Sequence, residues 1–267
     1  MTISNSTEID SINYKKRFSI CSLVTDKSEY TQMLQSFKEA GFNEDNSEFI
    51  YANNSDGNKY DGYKGVSRFL DMACGKYIII CHQDILLKFD NIDVLNQRIE
   101  EIDKLDNSWA ILANAGYKNF NDVALRISDP HGGNRNFTPF PAKVQSVDEN
   151  FIVIKKSANL TISNDIDGFH LYGTDLCLFA SMIGYSSYVI DFHLYHKSAG
   201  TCGTNFYEVK QKLIKSYEKK IKIKMLRTPC TMLTLTGSKI LNYLLNKKII
   251  YSIKKRYDSF MKKTGQS

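Results

Sequence analysis

The sequence predicts an α/β fold, a mainly parallel sheet flanked by helices, and three observations predict it. Apolar runs of strand length recur at 18–24 (FSICSLV), 48–52 (EFIYA) and 77–81 (YIIIC). The segments between them place their apolar residues on one helical face and stop at glycine, Gly41 and Gly75. The composition is 42% hydrophobic and 24% charged with four Pro in 267 residues, which is that of a folded chain and not of a linker.

Residues 1–17 are polar and are expected to form a flexible N-terminus. After the first strand, Ser28 is the expected N-cap of a helix to Ala40, with Tyr30, Met33, Leu34 and Phe37 inward. The second strand ends in the turn-rich NNSDGN. A helix over 63–73 follows, with Val66, Phe69, Leu70 and Ala73 on one side, and then the third strand. Strand, helix, strand, helix, strand is the rhythm of βαβ units, whose ligands bind beyond the carboxyl ends of the strands. Those ends open into loops at Thr25, Asn53 and His82.

Further on, 92–105 reads as a helix and 109–115 as a strand. Residues 116–142 are rich in Gly, Asn and Pro and read as a long functional loop. Two strand-like pieces flank Asp148-Glu149 within 144–155. A helix over 174–183 carries Leu176, Leu178, Phe179 and Met182 inward, and a strand over 187–191 leads to His193 and His196. From 207 helix formers dominate, with a break near Thr228-Pro229. The expected organisation is a flexible 1–17, a catalytic domain over 18–205 and a basic helical region over 206–267.

Several classes are excluded. The N-terminus lacks a basic start followed by an apolar run, so no secretory signal is expected. No apolar stretch reaches the length of a membrane span. Six Cys without a CxxC pair read as reduced, mostly buried thiols of a cytoplasmic protein, with neither a disulfide framework nor a zinc knuckle. The net charge of +6 is uneven: from Phe206 onward 16 Lys+Arg face three acids, Glu208, Glu218 and Asp258. That stretch interleaves Lys with Ile, Leu and Tyr at 219–227 and 240–250, a pattern that suits an anionic membrane surface, or a helical appendage packed on the domain. It holds no recognisable nucleic-acid module, so nucleic acid is not an expected partner.

Chemistry concentrates in three places. Cys81-His82-Gln83-Asp84 puts an imidazole and a carboxylate two residues apart where a strand opens into a loop. Such a pair can meet a divalent cation bridging two phosphates, although a strand-terminal Asp also caps turns. Asp175 begins an apolar helix, either as a reactive acid or as a first-turn acid favoured by the helix dipole. His193 and His196 follow the last core strand.

In order, these segments resemble the family 2 glycosyltransferases of GT-A fold. Residues 65–84 resemble that family's helix ending in Ala-x-Gly-x-Tyr, its apolar strand and its Asp-x-Asp motif: Ala73, Gly75, Tyr77 and Asp84 fall in register, and His82 stands where the first Asp usually is. Residues 18–26 match the first strand and its nucleotide-contacting loop, and Asn53-Asn54 stand where consecutive Asp residues bind base and ribose. Asp175-Leu176-Cys177-Leu178 with Gly184-Tyr185 matches the segment carrying the catalytic base, with Gly173 and Thr174 where an acid usually precedes it. His196-Lys197-Ser198 matches the metal-completing His better than His193 does.

The resemblance implies a donor site of Thr25, Asp26, Asn53, Asn54, Ser67, His82 and Asp84. It implies Mn2+ or Mg2+ on Asp84 and His196, and Asp175 as general base with Asp167 and His170 as alternates. Asp148, Glu149 and His170 would form the acceptor side. The implied reaction moves a sugar, with inversion, from a nucleotide-sugar donor (UDP-linked in most such families) to an acceptor hydroxyl. The implied setting is bacterial surface polysaccharide synthesis (O-antigen, capsule or lipooligosaccharide) on a lipid-linked saccharide acceptor, at the inner face of the plasma membrane. Two rivals remain. A sugar-nucleotide nucleotidyltransferase would carry a Gly-rich loop after the first strand, where this chain has Thr25-Asp26-Lys27-Ser28. A non-catalytic scaffold would keep the fold without the chemistry.

Overall fold

The computed structural model describes residues 13–119, 121–137, 139–198, 204–227 and 232–247, with 252 and 256. It opens with β1 (Lys16–Val24), α1 (Lys27–Glu39), β2 (Ser47–Asn53), α2 (Gly62–Met72) and β3 (Gly75–Cys81). Then come β4 (Ile85–Leu86), α3 (Ile92–Leu105), β5 (Trp109–Ala113), β6 (Ala115–Tyr117), β7 (Val123–Asp129), β8 (Gly133–Phe137), β9 (Ala142–Val144), β10 (Ser146–Val147) and β11 (Phe151–Lys155). A short 3-10 turn at Lys156–Ala158 leads to α4 (Tyr172–Met182), β12 (Ser186–Val189) and β13 (Leu194–His196). Next are α5 (Thr204–Lys220), β14 (Lys224–Arg227), β15 (Met232–Leu235) and α6 (Lys239–Leu245).

The main sheet has seven strands in the order β2-β1-β3-β11-β5-β12-β9. The first three strands are parallel, as the βαβ rhythm requires. The sheet is nonetheless mixed, because β11 inserts antiparallel between β3 and β5, and β9 closes the far edge antiparallel to β12. The alternation of β3 explains its burial on both faces. Ile78 and Ile80 pack with Val66, Phe69 and Leu176 from α2 and α4, while Tyr77, Ile79 and Cys81 pack with Met33, Phe37, Leu95 and Ile99 from α1 and α3.

Residues 116–142 are not the expected long loop. They carry β6, β7 and β8, which with β10, β13 and β4 form a second sheet. The segment hid its strands because β8 is a largely exposed edge (GNRNF) with no apolar face to read, and Asp129-Pro130-His131-Gly132 is simply its hairpin turn. A second difference lies at α1. Its N-cap is Asp26, whose carboxylate accepts from Ser28 N and Glu29 N, and not Ser28.

The chain divides into two compact units between Leu213 and Ile214, with α5 running through the division. In the first unit, Val209 is fully buried and Lys212 pairs with Asp167 at 2.7 Å. The second unit is not helical throughout. Its β14 and β15 pair antiparallel, and Asn242 and Asn246 tie α6 to this pair by paired hydrogen bonds to Thr236 and Thr234. The expected break at Thr228-Pro229 lies outside the described residues.

Candidate metal and donor site

Three elements bring the site together at the carboxyl end of β3. Strand β3 ends at Cys81, so His82 and Asp84 project from the turn before β4. Strand β13 pairs antiparallel with β4, setting His196 opposite Ile85, and Lys197 N donates to the Asp84 carbonyl at 3.0 Å. This register carries a histidine from the end of the domain to a turn more than a hundred residues earlier. His196 Nε2 lies 3.2 Å from Asp84 Oδ1 and 3.5 Å from His82 Nδ1, and one ligand atom of each residue falls within 4.8 Å of the others. Ligands held about 2.1 Å from a cation at right angles stand about 3 Å apart, so the spacing fits one ion.

The electrostatics favour the ligating forms. Burial opposes ionisation of Asp84. Hydrogen bonds from His196 and Ser198 and the nearby imidazoles overcome it and hold the carboxyl well below the usual carboxylate range. Burial lowers the His82 pKa and keeps the ring neutral, although the Asp148 charge pulls the other way. A neutral imidazole and an ionised carboxylate are what a metal requires.

The residues expected to contact the donor divide by what already holds them. The Gln83 carboxamide reaches across to the β1–α1 loop: Oε1 accepts from Thr25 N at 2.8 Å and Asp26 N at 2.9 Å, and Nε2 donates to Thr25 Oγ1 at 2.9 Å. Local sequence carries no sign of this role, since Gln83 reads only as a spacer between His82 and Asp84. Asp26 caps α1. Asn53, at the end of β2, accepts from Ser55 N and Oγ in a local turn. Asn54 is buried and both ends of its amide bond the Tyr60 backbone, so it fixes the 54–60 loop. Ser67 sits mid-helix in α2, five residues and about 7.5 Å along the axis from its start.

On the other side, the Asp148–Asn150 turn between β10 and β11 abuts the end of β3, because His82 N donates to Asn150 O at 3.0 Å. Asp148 is exposed and its Oδ1 accepts from Asn150 N. Glu149 is half-buried, and its Oε1 accepts from Gly173 N at 3.3 Å in the first turn of α4. Gly173 occupies an acid's usual place for a steric reason: a Cβ there would lie 2.8 Å from Val147 O. Burial, reinforced by the Asp148 charge, pushes the Glu149 carboxyl up to about 8.

Asp175 does not reach this surface. It is fully buried, and its two oxygens accept from Ser163 N at 2.7 Å and Ser163 Oγ at 2.6 Å. The alternates are also engaged, Asp167 with Lys212 and His170 edge-on to Phe206. His193 turns away from the metal cluster, bonding Ser128 Oγ at 2.8 Å and stacking on Phe89.

The fold is the GT-A fold of glycosyltransferases. The solved structures it resembles include Staphylococcus aureus TarS residues 1–349 (TM-score 0.50, 12% identity, 75% of this chain and 65% of that one). Another is the mannosyltransferase PcManGT from Pyrobaculum calidifontis in complex with GDP-Man and Mn2+ (TM-score 0.50, 12% identity, 78% and 65%). A third is GalNAc-T7 with UDP, GalNAc and Mn2+ (TM-score 0.51, 10% identity, 78% and 48%). The chain thus spans about two thirds or less of these solved chains, and at such identities the likeness shows the fold. No protein-family model matches the chain. It is 36% identical over 208 residues, 76% of its own length and 84% of the relative's, to a Fuscovulum blasticum protein called ATP synthase subunits region ORF 6. The chain belongs to the family of that protein, whose name states no activity.

Proposed function

We propose that the protein is a metal-dependent glycosyltransferase that moves a sugar from a nucleoside-diphosphate sugar to an acceptor hydroxyl. The observation that carries this reading is the convergence of His82, Asp84 and His196 where a GT-A sheet binds its donor. Two imidazoles and one carboxylate suit Mn2+ better than Mg2+, which prefers oxygen ligands and water. PcManGT and GalNAc-T7 were solved with Mn2+. A cation held there neutralises the departing diphosphate.

The chain's own groups then divide the work. Asp84 and His196 hold the cation, and His82 adds the third ligand. The Thr25–Asp26 loop, latched by Gln83, and the free faces of Asn53 line the nucleotide side. Asp148 and Glu149 face the acceptor side. TarS was solved with UDP-GlcNAc and PcManGT with GDP-Man; a UDP-sugar is the donor proposed here. The acceptor proposed is a lipid-linked saccharide of bacterial surface polysaccharide synthesis, whose hydroxyl displaces the nucleoside diphosphate from the anomeric carbon with inversion. No helix among the described residues is long and apolar enough to cross a membrane. Exposed Ile221, Ile223, Ile240 and Tyr243, set among lysines, support peripheral binding to an anionic leaflet.

The test is turnover of UDP- and GDP-linked sugars by the purified chain, read as nucleoside diphosphate release. Release should require Mn2+, stop with a chelator, and be lost in Asp84→Ala while that variant stays folded. Release that is indifferent to the chelator and to Asp84→Ala contradicts the reading.

A further inference from the structure

We propose that Glu149 takes the proton from the acceptor hydroxyl, an assignment that rests on the transferase reading above. A general base must come within hydrogen-bond reach of the proton it removes. Asp175, the base implied by resemblance, has no exposed surface and is bound at both oxygens by Ser163. Glu149 begins one residue before the point where the turn joins the end of β3 through His82 N and Asn150 O, and it keeps part of its surface open. The turn is fixed on its other sides by Asp148 N to Ala115 O at 3.0 Å and by Tyr172 Oη to Glu149 O at 3.3 Å. Gly173 N donates to Glu149 Oε1 at 3.3 Å, and the Leu171 backbone is a further partner, so the start of α4 orients the carboxylate.

The titratable groups around Glu149 are Asp148 on its own turn, Tyr172 and Cys177 from α4, and the buried Tyr63 from α2, whose larger charge neighbour is Asp175. Burial places its carboxyl near neutrality, where proton transfer is efficient in both directions.

The step balances. The acceptor oxygen forms a bond to the anomeric carbon as its proton passes to the Glu149 carboxylate. The bond from that carbon to the diphosphate oxygen breaks, and the nucleoside diphosphate leaves with the electron pair. Glu149, now a neutral acid, returns the proton to solvent.

The experiment measures nucleoside diphosphate release, with water or added sugar as acceptor, beside UDP affinity in the presence of Mn2+. Glu149→Gln should cut turnover by about 100-fold or more, the scale of a lost general base, with UDP affinity within about twofold. Glu149→Asp should restore part of the rate. Wild-type turnover should rise about tenfold per pH unit and level off near pH 8, and Asp148→Asn, which removes the neighbouring charge, should move that limb to lower pH. Turnover within about fivefold of wild type in Glu149→Gln overturns the assignment. So does a folded, UDP-binding Asp175→Asn that has lost turnover. A wild-type chain that binds neither UDP nor GDP with Mn2+ overturns the transferase reading and this assignment with it.

Discussion

Replacing Asp175 with Ala separates a structural carboxylate from a reactive one. The buried side chain receives the backbone N–H and the hydroxyl of Ser163, itself 3% exposed. Hydrogen bonds to a charged group are each worth about 1.5–3 kcal/mol, and removing the acceptor leaves both Ser163 donors buried without it. Relief of the carboxylate's own desolvation offsets part of that loss, so the net destabilisation should be about 3 kcal/mol. At roughly 2–4 °C per kcal/mol for a domain of this size, Tm should fall by about 6–12 °C. Ser163→Ala should reproduce part of the shift, and the double variant should show coupling because the two residues share the bonds. Differential scanning calorimetry of the three variants measures it. A Tm for Asp175→Ala within about 2 °C of wild type would refute the structural role.

Other outcomes follow from the same geometry. Gly75→Ala should fail to fold or melt far below wild type by circular dichroism, because its Cβ would lie 2.6 Å from the Phe18 carbonyl carbon and 2.7 Å from Ser19 N. Gln83→Ala frees the Thr25 and Asp26 amides, and should raise the KM for the donor several-fold with a smaller effect on kcat. In calorimetric titrations against pH, Mn2+ affinity should hold at neutral pH and fall as the medium is acidified. Because the folded-state pKa of His82 lies below its ordinary value of about 6.5, the loss from that residue begins below that pH. Replacing Lys219, Lys220, Lys222 and Lys224 with Gln in the full chain should weaken sedimentation with anionic vesicles at low salt, at about 1 kcal/mol per lysine near the surface. Unchanged sedimentation would remove the membrane proposal.

The first half of the fold was legible because local pattern and tertiary context agree there. The strands around Ile20, Ile50 and Ile79 are apolar on both faces, and the intervening helices carry single apolar stripes closed by glycine. The second sheet was not legible. Most of its strands are short, and β8 presents Asn134, Arg135 and Asn136 with no buried face, so the sequence does not announce the β7–β8 ladder. The C-terminal region departs from its expected helices for the opposite reason. Lysine-rich runs with interleaved Ile and Leu satisfy a helical pattern and a strand pattern alike, and Lys224–Arg227 pairs with Met232–Leu235 as strands.

In the candidate site, motif order singles out Asp84 and His196, and β4–β13 pairing explains why they meet. The Gln83 latch and the Glu149–Gly173 contact depend on long-range approach and leave no trace in local sequence. The burial of Asp175 is of the same kind. The first turn of α4 is pressed against Val147, which a first-turn acid cannot reveal.

In the proposed transferase, His82, Asp84 and His196 would hold a cation together with the donor diphosphate. Isothermal titration of Mn2+ into the full chain, with and without UDP, measures this. One Mn2+ site is expected whose affinity rises when UDP is present, with UDP affinity rising by the same factor when Mn2+ is present, since such coupling is reciprocal. His196→Ala and Asp84→Asn should each abolish the site and the coupling without loss of fold. Mn2+ binding that survives both substitutions unchanged, or UDP affinity that is indifferent to Mn2+, would rule this cation site out.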